Sequence, residues 1–152
     1  MRKIILFSSL LFSMFMMGQT KETVVPPMEV DKAFQKEFPN IIPVWKSDYR
    51  GMDDTEIRYE AEFKKNGAKN LAVYDRRGDL ITIEVAMKPS KLSKPILKYL
   101  KENNYTNKIV EVVKVADEAN MISYQVGVTV EGKSFDLIFD EKGEYIETKE
   151  VD

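Results

Sequence analysis

Residues 66–81, NGAKNLAVYDRRGDLI, and residues 131–146, EGKSFDLIFDEKGEYI, read as one pattern written twice at an offset of 65. Gly67 falls on Gly132, Tyr74 on Phe139, Asp75 on Asp140, Gly78 on Gly143 and Ile81 on Ile146. Asn66-Gly67 is a strong two-residue hairpin signal, because both central positions of a type I′ turn need positive φ. It pairs Lys65 with Ala68, Phe63 with Asn70, Ala61 with Ala72 and Tyr59 with Tyr74. Reading Glu131-Gly132 the same way pairs Val128 with Phe135, Val126 with Leu137 and Tyr124 with Phe139. That second set is uniformly apolar, which favours this register over a one-residue slip. The tails YDRRGDL and FDEKGEY are turn chemistry too. The Asp accepts a hydrogen bond from the N–H two residues on, and the Gly takes the positive φ that closes the loop.

Working outward, a helix precedes each hairpin set. In PPMEVDKAFQKEFPN (residues 26–40), Val30, Ala33, Phe34 and Phe38 share a face. Pro26 and Pro27 precede this helix, and Pro39 disfavours helical geometry in the residue before it. In SKLSKPILKYLKENNY (residues 90–105), Ile96, Tyr99 and Leu100 share a face, with Ser93 as the expected N-cap and Pro95 in the first turn. Strand-like runs follow each helix: PVWKS, EIRYEAEFKK, KNLAVYD and DLITIEVAM, then KIVEVVKVAD, MISYQVGVTV, KSFDLIFD and EYIETKEV. The expected fold class is α+β. It is a tandem repeat of a helix plus a four-stranded antiparallel sheet, with one continuous antiparallel sheet of about eight strands and helices on one face. Duplication extends one sheet and enlarges one core. The expected organisation is a signal peptide over 1–18, a linker over 19–25, a first repeat over 26–87 and a second over 88–152.

The opening MRKIILFSSLLFSMFMMG has a basic start, an apolar run and a small residue at Gly18, the pattern of a secretory signal. The run is short for a membrane span of about 20 residues. No cysteine follows for a lipid anchor, so the expected location is periplasmic or secreted, with no membrane insertion after cleavage. Removing Arg2 and Lys3 takes the net charge from −2 to −4, which argues against a nucleic-acid partner. The chain has no histidine and no cysteine. Cys-His and Ser-His-Asp machinery, zinc fingers, thiolate redox sites and disulfides are therefore excluded.

The remaining chemistry is thin. Asp75, Asp79 and Asp140 lack the spacing of a calcium loop and read as turns. DYRGMDDTEIR, with Asp53, Asp54 and Glu56, reads as a solvated acidic loop whose alternative is ion binding. Glu60 and Glu62 alternate with Arg58 and Lys64 along one strand face, which reads as a solvated surface rather than a glycosidase pair. Val73 and Ile138, Leu80 and Tyr145, together with Leu71, are expected on the helix-free face in both copies. Repeated apolar positions edged by charge suit a partner surface. Trp45 is expected in core or sheet-edge packing.

AFQKEFPN, VWKSD and YEAEFKKNGAKNLAVYDRRGDLI resemble the PepSY-like family, also described as β-lactamase-inhibitor-like (BLIP-like), a group of small exported bacterial proteins. The resembling elements are Phe38-Pro39, Trp45, Tyr59-Ala61-Phe63, Asn66-Gly67 and Tyr74-Asp75-Gly78. The second copy keeps Tyr124, Gly132, Phe139, Asp140 and Gly143 but lacks Phe-Pro and the Trp. The resemblance implies tandem helix-plus-four-strand units and no catalytic residues. In the inhibitors of that shape the sheet face opposite the helices grips a protein, with disulfides that this chain lacks. The expected function is a non-catalytic exported module without cofactor or metal, binding a protein or peptide of the cell envelope, inhibition included. Its contacts would be Arg58, Glu60, Glu62, Lys64, Leu71, Val73, Leu80, Ile138 and Tyr145. The alternative is a small-molecule or Ca2+-binding envelope protein.

Overall fold

The computed structural model describes residues 23–50 and 56–151. The signal segment 1–18, most of the linker, and Asp53 and Asp54 lie outside the described residues. Helix α1 spans Met28–Glu37, followed by strands β1 (Val44–Arg50), β2 (Glu56–Lys65), β3 (Ala68–Asp75) and β4 (Leu80–Ala86). Helix α2 spans Lys94–Glu102, followed by β5 (Ile109–Asp117), β6 (Ile122–Val130), β7 (Lys133–Asp140) and β8 (Tyr145–Val151). The eight strands form one antiparallel meander in chain order. Pairing of Thr82–Ala86 with Asp117–Val113 joins the two halves into one sheet.

Both hairpin registers are those read from the sequence. Asn66 and Gly67 have φ of 52° and 76°, and Glu131 and Gly132 repeat this at 52° and 80°. In the next turn the Asp75 carboxylate accepts from the N–H groups of Arg77 (2.8 Å) and Asp79 (2.9 Å). Asp140 does the same with Lys142 (2.9 Å) and Glu144 (2.8 Å). The turn glycines have a further role. A Cβ on Gly78 would lie 2.8 Å from the Glu29 carbonyl oxygen, and one on Gly143 would lie 2.6 Å from Ser93 Oγ. Each repeated turn is thus the seat of its helix, which is why the pattern occurs once per helix.

Packing on the helix side divides into two clusters. Val30, Phe34 and Phe38 meet Trp45, Ala61, Phe63, Ala72 and Tyr74. Leu92, Ile96 and Leu100 meet Val112, Val126, Val128, Leu137 and Phe139. Trp45 is a core residue, with its ring 5.5 Å from that of Phe34. Pro39 does stop α1, which ends at Glu37 with Phe38 as C-cap. Ser93 holds the N-cap position of α2 and its carbonyl accepts from Leu97 N–H, but its side chain makes no capping bond. The close approach of Gly143 occupies the space around that hydroxyl.

Two expectations about direction fail for one reason. Leu80 pairs with Tyr74 and packs into the first helix-side cluster. Tyr145 pairs with Phe139 and stacks on Tyr99 of α2 at 4.8 Å. Each hairpin carries a register shift, between Val73 and Tyr74 and between Ile138 and Phe139. The extra residue of such a bulge reverses the alternation beyond it. Ile81, not Leu80, therefore faces away from the helices and joins the cluster there.

Candidate functional site

Among the described residues, the helix-free face is built from the sheet. Strand pairing lays out its rows. One runs Val44, Glu62, Leu71, Glu84, Val115, Ser123 and Asp140. The next pairs Lys64 with Lys69 in the first half and runs Ala86, Val113, Gln125, Ile138 and Glu147 across the second. A third, in the second half only, runs Glu111, Gly127, Asp136 and Lys149. Leu71, Val73, Val113 and Val115 form a buried apolar cluster on this face, with Ile81 against it.

Of the residues expected to meet a partner, seven do face this side, but they divide by depth. Leu71, Val73 and Ile138 are only 4%, 0% and 4% exposed, so they are a floor and not a contact surface. Glu60 is also buried, at 5%, which corrects its reading as solvated. No described helix or loop residue belongs to this apolar cluster. Arg58 and Glu62 are half-buried and Lys64 is exposed. Lys46 Nζ donates to Glu62 Oε1 at 2.7 Å, and Arg58 reaches Glu56 at 2.6 Å. These three form the accessible fringe. Leu80 and Tyr145 lie on the other side of the sheet.

The sequence reading missed an acid pair. Glu111 and Asp136 lie on either side of Gly127, in neighbouring strands. A Cβ on Gly127 would sit 3.5 Å from Glu111 Cβ and 3.6 Å from Asp136 Oδ1. The absent side chain leaves room for both carboxyls above the glycine. A register shift between Ile109 and Glu111 turns Glu111 onto this face and leaves Val110 exposed. Burial, with Asp136 adding repulsion and Lys69 drawing it back, pushes the Glu111 carboxyl up to about 7. Burial also raises Asp136, against the 2.6 Å bond from Gln125 Nε2 and the charge of Lys149. The available signal was Gly127 itself, since a glycine inside a strand marks close approach of neighbouring groups.

Among the described residues no group of three or more acids could hold a metal ion, and no helix is long and apolar enough to cross a membrane. Glu56 of the acidic loop is tied to Arg58. A hollow of about 790 Å³ opens where the β3–β4 turn meets the start of β2 and the β5–β6 turn. Two of the arginines lining it are committed, Arg58 to Glu56 and Arg77 to Asp75 and Asp79 at 3.0 Å each.

No protein-family model matches the chain, and no curated protein matches it either. Solved structures do. A DUF2874 family protein from Bacteroides uniformis is 18% identical with a TM-score of 0.71, over 84% of this chain and 91% of that one. A protein provisionally described as periplasmic, from Bacteroides eggerthii, is 15% identical with a TM-score of 0.72, over 84% and 91%. A BLIP-like protein from Bacteroides fragilis is 23% identical with a TM-score of 0.64, over 84% and 88%. These likenesses establish the fold, which is the BLIP-like one expected from the sequence.

Proposed function

We propose that the chain is a non-catalytic exported module that binds a protein or peptide of the cell envelope through the helix-free face of its sheet. One observation carries this reading: a whole face of eight strands, with an apolar floor and a charged fringe, lies outside both helix-packed cores. The export reading draws on the basic-then-apolar start of the chain and on the provisional periplasmic description of a structural counterpart. A sealed floor gives rigidity, while Lys46, Arg58, Glu62 and Lys64 offer charge with which a partner can be selected. Inhibition is the form this binding would take if the partner were an enzyme.

The test is capture from an envelope extract, comparing the wild type with an Arg58→Glu/Lys64→Glu variant. A protein held by the wild type and released by the folded variant supports the reading. Equal capture by both overturns the assignment to this face. A second reading, a small-molecule or calcium binder, is favoured by the hollow beside the β3–β4 turn. A calcium-dependent rise in Tm would support it, because a ligand bound only by the folded state stabilises that state.

A further inference from the structure

An open sheet has two edges, β1 and β8, and the structure treats them differently. On β1, the Trp45 carbonyl accepts from Val24 N–H at 3.1 Å, outside the sheet pairing. Four residues on, Tyr49 N–H donates to Asp48 Oδ1 at 3.0 Å. By the two-residue period these are outward-pointing groups of the edge. A second β1 laid antiparallel about Ser47 would set Trp45 against Tyr49, and would need the same two groups. Occupying them is a way to keep an edge from pairing.

No described strand lies beyond β8. Its residues Glu147 and Lys149 lie on the helix-free face and Thr148 lies on the helix side, where its hydroxyl meets Tyr145 at 2.9 Å. Consider a second β8 alongside it, antiparallel, with the two-fold axis normal to the sheet. Directly opposed residues must then point to the same face, so the axis has to pass through a residue. On Glu147 or Lys149 it stacks like charges. On Thr148 it sets each Glu147 against the other copy's Lys149. The same two groups already lie 3.2 Å apart within one chain, so the exchange needs little rearrangement.

We propose that β8 is a self-pairing edge, and that two copies of this chain join antiparallel about Thr148 into one continuous sheet. Both helix layers then lie on one side, and the two helix-free faces run together on the other. The contact is isologous, so each substitution acts twice.

The experiment is the molar mass of the full chain, purified as its host delivers it, by light scattering from micromolar to millimolar concentration. The wild type is expected to move from monomer to dimer. Glu147→Lys and Lys149→Glu each place like charges across the axis, and each should weaken the dimer by about tenfold or more. The double variant Glu147→Lys/Lys149→Glu restores unlike charges and should restore the dimer. An equal mixture of the two single variants should dimerise as well, since every opposed pair is then unlike. A wild type that stays monomeric throughout overturns the proposal. So does a dimer indifferent to the single variants.

Discussion

The same row of the sheet is written twice, once in each half, and the two versions are chemically opposite. In the first half it runs Val44, Glu62, Leu71 and Glu84. In the second half the equivalent places hold Glu111, Gly127, Asp136 and Lys149. The residues behind that row do not diverge in this way. Trp45, Phe63 and Ala72 are matched by Val112, Val128 and Leu137, all buried against a helix. Packing density ties the helix side to apolar residues, because voids and unpaired polar groups are costly there. The open face carries no such constraint from a second layer, so the halves could part there. The difference locates freedom to specialise on the helix-free face, and most strongly around Gly127.

The comparison breaks most visibly on the helix side. Phe34 is fully buried, with the rings of Phe38, Trp45, Phe63 and Tyr74 at 5.1, 5.5, 5.2 and 6.5 Å. Its counterpart 65 residues on is Tyr99, which is only half-buried and touches Phe139 and Tyr145. Phe34→Ala is expected to cost about 3–5 kcal/mol, and Tyr99→Ala about 1–2 kcal/mol, in urea unfolding. The β4–β5 pairing makes the sheet continuous, so each variant should still unfold in one transition. Two separate transitions would mean that the halves are independent domains.

The turn glycines give a smaller and sharper contrast. Gly78 and Gly67 both have positive φ, but nothing lies within 4 Å of a Cβ on Gly67. Gly67→Ala therefore costs only the left-handed backbone, about 1 kcal/mol. Gly78→Ala adds a collision with the Glu29 backbone of α1, for about 2–4 kcal/mol in all. Gly143→Ala meets a serine hydroxyl, which can rotate, and also Pro95 Cβ at 3.2 Å. It should fall between the two. Equal losses at Gly67 and Gly78 would show that helix seating contributes nothing.

Much of this was legible in the chain, for a physical reason. Asn66-Gly67 and the Asp-x-x-Gly turns act locally, so residues adjacent in sequence fix the register, and the repeat supplied the second half. What failed was whatever depended on one inserted residue. The bulges opposite Tyr74 and Phe139 turned Leu80 and Tyr145 toward the helices, because a period of two carries no memory across an insertion. Depth was also illegible. Val73 and Glu60 read as surface because no described helix covers them, yet both are buried. The Glu111–Asp136 pair depends on strands meeting over a glycine, and its two members lie far apart in the sequence.

The smallest effect concerns that pair, and its sign is fixed by burial. The Glu111 carboxyl goes from an ordinary 4.5 up to about 7 on folding, so the folded chain binds a proton that the unfolded chain has released. Stability is then greatest below 4.5 and falls as pH rises through the window to about 7, levelling off above it. The raised Asp136 acts in the same direction. Asp75 in the β3–β4 turn acts oppositely. Burial raises its carboxyl, but the N–H groups of Asp79 and Arg77 and the Arg77 guanidinium outweigh this and hold it low. Its contribution is lost only in stronger acid. Urea unfolding from pH 4.5 to 8 should therefore give a declining limb in the wild type. Glu111→Gln should flatten that limb and leave the acid side unchanged. In the first half Val44 stands at the place equivalent to Glu111. A Val44→Glu variant would face Glu62 rather than a glycine, beside Lys46, whose Nζ already lies 2.7 Å from Glu62. It should add no declining limb. If it did, the titration would belong to any acid on this face, and the hollow over Gly127 would not be its cause.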